Sequence, residues 1–510
     1  MRETLPPPPV NDHPNNDMWV DEQIWGHRLW DSTSPWLILL ECLSVAEAKQ
    51  READLMGPGG RSYPMRFRPA QRMYLRNILY NNEALFRIAA QKLSDAASWD
   101  QWVGFMNEKA QGVPHREFSY LRRRFSSFSD FAALVDLVRS STIEAGTNRR
   151  WSSRFVFPFG ANSIYEDLNV KDGSTSREYI NFGLPGELLY QMLCRSSHAE
   201  ELAGHLRANL SGDPIDRLVA ALEPDYEEDR QTRKNSFLPY ASHDCFDDLA
   251  RDWLAIFSLQ LPRSDVYPHL ARLAALHLLR YKLVVAAETA DEPPPAFVCE
   301  ILAPRRTPVR ELSIGSFQQN DALSAKAVNA YLANLAQTDE WRTALSSDAP
   351  FQNARRVLIE KVRWPGDDDY PGPELAEELL ASLRRAAQKR HRAHVALVHR
   401  SYGGGAGLVS KRGTNQLRYA PSDALLRTLI LANVGVRMDY NEFLELLFER
   451  YGLVISDREA ARVLRSEEFD RKSFQVNAER LERRLRALGK LRRLSDACAY
   501  VENPGARTMQ

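Results

Sequence analysis

Neither sign of charge prevails in this chain: Lys and Arg total 67, and Asp and Glu also total 67, over 510 residues. A neutral whole argues against a generic polyanion binder, which would draw its ligand with net positive charge. Cysteine is scarce. Cys42, Cys194, Cys245, Cys299 and Cys498 are far apart, odd in number and without a CxxC pair. That argues against a disulfide framework and fits free thiols in a reducing compartment. Long apolar runs are missing too. The stretch Leu270–Ala287 is interrupted by Arg272, His277, Arg280 and Lys282, which is not the pattern of a membrane span. Met1–Met18 is rich in Pro, Asn and Asp and reads as loosely ordered, neither a signal nor a transit peptide. A cytoplasmic chain with no membrane partner is expected.

Catalytic signatures are also lacking. There is no GxSxG, HExxH or DxDxDG pattern. The run Ser401–Thr414 holds five glycines, four of them ahead of Lys411 and Arg412. Glycine lets backbone N–H groups approach an anion, so this reads either as a phosphate-contacting loop or as a flexible connector. It is not a P-loop, because Lys411 follows Ser410, and it does not fit a dinucleotide fingerprint. His391, His394 and His399 cannot share one helical face, and no acid close in sequence completes a hydrolase set. The pairs Cys194/His198 and His243/Cys245 fall short of the four ligands of a structural zinc site. Asp367–Asp369 reads as a solvated acidic loop before it reads as a metal site. Glu300 and Glu360-Lys361 alone do not make a nuclease. No catalytic residue, metal ligand or cofactor is assigned.

Along the chain, helices dominate. Ser34 with Pro35 starts one over Leu37–Leu43, after the tryptophans Trp25, Trp30 and Trp36. Those rings could stack bases or pin the segment to a core. Ala70–Leu93 and Trp99–Lys109 read as helices. His115–Phe128 mixes Arg122, Arg123 and Arg124 with aromatics, as a single-strand binder or an amphipathic helix would. Trp151–Phe159 and Arg177–Phe182 read as strands around a polar loop, Glu166–Ser176, and Gly186 opens a helix. Ser242–Leu261 and Val266–Ala287 form a helical pair, the second a central core helix. Phe297–Leu302 reads as a strand, Ser324 as the cap of a helix to Leu345, Trp364–Pro373 as a break, and Glu374–Arg390 as a helix. These divide the chain into 1–145, 146–290, 291–373, 374–420 and 421–504.

Charge is uneven despite the balance. Arg471–Arg493 carries nine Lys/Arg against two Glu, and Arg384–Arg412 carries eight with no acid. In the last segment, Asp439 with Glu442 and Ser456 with Glu459 read as capping boxes, and Gly452 as a helix stop. Asn477 caps a basic helix to Leu488, with Leu481, Leu485 and Leu488 on one face and Arg480, Arg483 and Arg486 elsewhere. Leu491–Val501 then reads as a hairpin turning at Ser495-Asp496. The expected fold is mainly α with minor β: a multi-helical N-terminal body, small β elements in the middle and a C-terminal winged-helix-like module. Its candidate nucleic-acid contacts are Arg480, Arg483, Arg484, Arg486, Lys490, Arg492 and Arg493, with Lys411 and Arg412 upstream.

Trp25–Trp30, Gly186–Tyr190, Gly403–Thr414 and Leu494–Tyr500 resemble stretches of accessory proteins from bacterial anti-phage defence islands, methylation-associated or related multi-gene systems. The resemblance implies a non-catalytic subunit working beside separate ATPase, nuclease or methyltransferase proteins, and it transfers no active-site residue. The expectation is a subunit that binds duplex DNA or serves as an adaptor among other subunits of the system. A protein–protein scaffold without nucleic acid and a cryptic metal-dependent nuclease are the alternatives.

Overall fold

The computed structural model describes residues 4–6, 19–26, 29, 33–62, 65–79, 82–91, 93–113, 115–140, 168–171, 174–177, 185–210, 212–225, 232–234, 237–303, 306–364, 372, 374–412, 415–465, 470–495 and 498–509. It is mainly helical, with small sheets. The helix Arg263–Ala290 is the axis of the largest core. It is apolar nearly all round, as a helix enclosed by others must be. Around it pack the helices Pro35–Arg51, Asp244–Ser258, Pro308–Gln337 and Val395–Ala406. Three of the polar residues that interrupt it are absorbed by partners. His277 Nε2 lies 2.8 Å from Asp252, Arg280 donates to Asp248 at 3.2 Å, and Lys282 reaches the Ala396 carbonyl at 3.5 Å. Burial pushes Lys282 down to about 8.

The N-terminal segment is pinned to this axis. Trp25 is buried, donates its indole N–H to Lys282 O at 2.8 Å, and accepts from Tyr281 Oη at 2.9 Å. It offers no ring for base stacking. The helix Pro35–Arg51 starts as expected, with Ser34 Oγ accepting from Leu37 N. It lies against Pro185–Cys194, where a Cβ on Gly186 would sit 2.5 Å from Ile38 O, so glycine permits the close approach.

A second, aromatic core gathers residues between Tyr74 and Val138 together with Val219 and Leu222, with Trp99, Trp102, Phe118, Phe128 and Phe131 ring against ring. Here the Ala70–Leu93 expectation divides into two helices, Met73–Leu79 and Ala84–Ala90. Between them, buried Asn82 accepts from Trp102 Nε1 at 2.7 Å. Two members of the arginine cluster beside this core are engaged. Arg122 pairs with Asp100 at 3.1 Å, and Arg124 with Asp225 at 2.5 Å and with the carbonyls of Ala220 and Ala221.

Several other expectations change. Leu168–Lys171 and Ser174–Arg177 form an antiparallel pair where a polar loop was expected. The strand expected at Trp151–Phe159, and that at Arg177–Phe182 beyond its first residue, lie outside the described residues, as does most of Trp364–Pro373. Ser324 is not a cap. The helix begins at Pro308, capped by Thr307, and runs to Gln337 because its periodic apolar face is continuous. The glycine run is not a loop. Gly403–Gly405 lie in the helix Val395–Ala406, which ends at Gly407. A Cβ at Gly403 would meet Val409 Cγ2 at 2.4 Å, and one at Gly405 would meet Pro35 Cγ at 2.6 Å. Packing explains two of these glycines better than anion contact does.

The C-terminal segment is joined to the body by a parallel pair, Phe297–Val298 with Leu453–Val454. Gly452, left-handed at φ 74°, brings its backbone against Pro295. Buried Glu300 holds Arg418, and also Arg310 at 2.8 Å. This accounts for Glu300 as a structural carboxylate.

Candidate nucleic-acid interface

Four helices, Asp423–Asn433, Tyr440–Tyr451, Asp457–Val463 and Arg471–Ala487, lead into the strands Leu491–Ser495 and Cys498–Glu502. The last strand pairs on its other side with Arg437–Asp439, giving a three-stranded sheet with the first strand beside the last. Ser456 and Glu459 form the expected reciprocal box, while Asp439 caps through Asn441 N.

The basic helix starts earlier than expected. Asp470 caps it, accepting from Lys472 N and Ser473 N at 3.1 Å. Asn477 lies inside it, wholly buried. Its amide oxygen accepts from Ile301 N at 2.8 Å, and its amide nitrogen donates to Cys299 O and Ile455 O, both at 3.0 Å. Phe474, Leu481 and Leu485 share that buried face. The outer side is therefore left to Arg480, Arg483 and Arg486. Beyond the helix, Lys490 is half-buried, and Arg492, Arg493 and Leu494 are exposed on the hairpin.

The arginines divide by their partners. Arg484 is committed within the protein, at 2.6 Å from Asp423 and 2.9 Å from Pro421 O. Arg483 meets Glu479 at 3.3 Å one turn back, and Arg493 meets Glu482 at 3.1 Å. Such exposed pairs are worth little and exchange readily for phosphate. Arg480, Arg486, Lys490 and Arg492 have no carboxylate partner among the described residues. Lys411 and Arg412 are exposed in the short hairpin of Val409–Ser410 with Arg418–Tyr419, also without an ion pair among the described residues. Upstream, Arg384, Arg385 and Lys389 are exposed on the helix Ala376–Ala393. Arg390 is not part of that surface, since it meets Glu22 at 3.3 Å and covers Trp19.

Two of the three histidines expected to lack acids, His391 and His399, have them from distant segments. His391 Nδ1 lies 3.0 Å from Asp21, and its Nε2 3.1 Å from Ser324 Oγ. His399 Nδ1 lies 2.9 Å from Asp321, and its Nε2 2.8 Å from Tyr419 Oη. The first chain has the connectivity of a nucleophile relay. Ser324, however, is 1% exposed in mid-helix, so no substrate carbonyl reaches it in this arrangement. These are ties between helices. Sequence could not reveal them, because each acid lies far along the chain from its imidazole.

A cleft of about 1230 Å³ opens between residues 292–298, the helix Pro308–Gln337 and the ends of the helices Tyr440–Tyr451 and Asp457–Val463. Arg280, Lys326, Arg462 and Arg465 share its lining with Glu292, Glu311 and Glu449. This mixed charge does not select phosphate. Among the described residues no cluster of His, Cys, Asp or Glu could hold a metal, and no helix is long and apolar enough to cross a membrane.

Residues 377–501 match the family model of methylation-associated defense system protein MAD7. The MAD7 match begins in the helix Ala376–Ala393 and ends in the last strand, so it takes in every candidate contact residue. The expected likeness to methylation-associated defence proteins holds over this stretch. Gly403–Thr414 and Leu494–Tyr500 fall within the MAD7 match, while Trp25–Trp30 and Gly186–Tyr190 fall outside it. No curated protein and no solved structure matches the chain.

Proposed function

We propose that this protein is a non-catalytic, duplex-DNA-binding subunit of a methylation-associated anti-phage defence system, with residues 421–504 serving as a winged-helix-like module. The observation that carries the reading is the set of cations without carboxylate partners among the described residues, Arg480, Arg486, Lys490 and Arg492, on one helix and the start of the hairpin that follows it. The helix order and the placing of the first strand beside the last support the module assignment. In such modules the helix before the hairpin enters the major groove and the hairpin touches the backbone. Arginine suits both tasks, because its planar fork meets guanine edges and phosphates alike. The match to the MAD7 family model supports membership of the defence system, whose other subunits are the expected protein partners.

Fluorescence anisotropy with a labelled duplex across a salt series tests this. The wild-type protein binds with strong salt dependence. The triple variant Arg483→Ala, Arg486→Ala, Arg493→Ala loses affinity, and its log–log salt slope shrinks by roughly 0.9 for each phosphate contact removed. Equal binding by the two proteins at every salt concentration rejects the reading.

A scaffold role is the competing reading, and the cleft of mixed charge is the observation in its favour. Affinity purification split between nuclease-treated and untreated samples separates the two. Partners lost on nuclease treatment are bridged by nucleic acid, and partners retained are held by protein surface.

A further inference from the structure

Of the four polar residues that interrupt the apolar run of the central helix Arg263–Ala290, three lie beside acids. His277 rests on Asp252, Arg280 on Asp248, and Lys282 lies near Asp321 and Asp21. Arg272 has no carboxylate among the described residues. Its Nη1 donates to Pro268 O and to Thr428 Oγ1, each at 3.2 Å. One turn earlier on the same helix, His269 Nδ1 lies 2.7 Å from the same Thr428 Oγ1. Thr428 gives its own proton to Ala424 O at 3.0 Å. Its oxygen must therefore accept from both His269 and Arg272, which places the His269 proton on Nδ1 and leaves Nε2 as an open lone pair. Two more cations stand within electrostatic range: Arg427, beside Thr428 in the chain, and Lys490 from the turn into the hairpin, whose charge is felt by His269 and which feels that of Arg427.

We propose that His269, Arg272, Thr428, Arg427 and Lys490 form an oxyanion site for a phosphate group at the seam between the central helix and the C-terminal module. The argument is one of missing counter-charge. Arg272 and Lys490 are partly buried, and desolvation of cations without a carboxylate is unfavourable unless an anion compensates. Consistent with this, burial lowers Arg272, and burial together with Arg427 lowers Lys490. His269 is held down at about 4 by burial, then by Arg272 and Lys490, and only Asp265 on its own helix opposes them. A tetrahedral oxyanion suits the set: a guanidinium fork, an ammonium and an imidazole that gains an Nε2–H donor on protonation. The site deepens the DNA-binding reading, on which its nucleic-acid form rests, because it would carry a backbone phosphate contact into the N-terminal body.

The test follows the His269 ring signals by NMR in the full-length protein, assigned with His269→Gln. Titrations are run with inorganic phosphate, with chloride at matched ionic strength, and with a short duplex. Phosphate is expected to raise the His269 midpoint by a unit or more while chloride leaves it in place. Arg272→Gln and Lys490→Gln, each checked for folding by thermal melting, are expected to weaken phosphate binding roughly tenfold or more, as loss of a charge-assisted hydrogen bond does. A duplex that produces the same shift identifies the ligand as a backbone phosphodiester. A shift with phosphate alone identifies a free or terminal phosphate, and leaves the duplex-binding reading to its own salt series. An unmoved His269 midpoint in both phosphate and duplex, or a shift unchanged in both charge variants, overturns the proposal.

Discussion

The Asn477 side-chain oxygen accepts the Ile301 amide at 2.8 Å, joining the middle of the basic helix to a segment 176 residues earlier. The same amide group satisfies the carbonyls of Cys299 and Ile455. One side chain thus serves three backbone groups that have no water to turn to. Replacing Asn477 with Ala is expected to lower stability by about 2–4 kcal/mol, because buried polar groups lose their partners. Urea unfolding measures the loss, and an unchanged midpoint contradicts the role.

Arg484 and Arg486 are two residues apart and are expected to behave oppositely. Arg484 is bound to Asp423 and Pro421 O. Its replacement by Ala should reduce stability by about 0.5–1 kcal/mol, discounted for the exposure of Asp423, with little change in duplex affinity. Arg486→Ala should leave the melting curve in place and weaken duplex binding. Melting and anisotropy on the two variants measure both effects, and the same pattern in each removes the distinction.

Stability is expected to fall as the pH falls below about 6.5, the ordinary histidine range. Burial lowers His277 despite its hydrogen bond to Asp252, and burial lowers His399 despite Asp321. The unfolded imidazoles take up protons in that range while the folded ones resist. The unfolded state then holds more protons, and stability declines by about 1.4 kcal/mol per pH unit for each histidine still neutral. Above the unfolded value this contribution is fully present. Urea midpoints across this range check the slope, and His277→Gln and His399→Gln should each flatten it.

Two glycine substitutions should have opposite signs. Gly186→Ala pushes a methyl to 2.5 Å from the Ile38 carbonyl and 2.8 Å from the Cys42 amide nitrogen, both rigid backbone. It should destabilise by about 1–3 kcal/mol through overpacking. Gly404 lies in a helix with nothing within 4 Å of its added Cβ. Gly404→Ala should stabilise by about 0.5–1 kcal/mol. Thermal melting of both variants gives the signs.

What could be read from the sequence was local. Ser34 with Pro35, Ser456 with Glu459, Gly452 and the closing hairpin all announce themselves within a few residues, because caps and turns are decided by neighbours. The central helix was legible for the same reason, through its apolar density. What escaped depends on partners far along the chain. Asn477 reads as a cap because asparagine favours caps, yet a buried backbone elsewhere claims it. The glycines of 403–405 read as a loop by propensity, yet they lie in a helix that two neighbours approach too closely for a side chain. Arg272 reads as an interruption of an apolar run, and only the fold sets it beside His269 and Thr428, with no acid paired to it among the described residues.

The parallel pairing of Phe297–Val298 with Leu453–Val454 has a mechanical consequence. Together with Asn477 and the Glu300–Arg418 ion pair, it fastens the C-terminal segment to the body by stitches deep inside both. A ligand gripped on the outer face of the basic helix would not swing on a tether. Any torque it exerted would pass through Cys299–Ile301 toward the helix Pro308–Gln337, so the protein would answer such a load as one rigid lever.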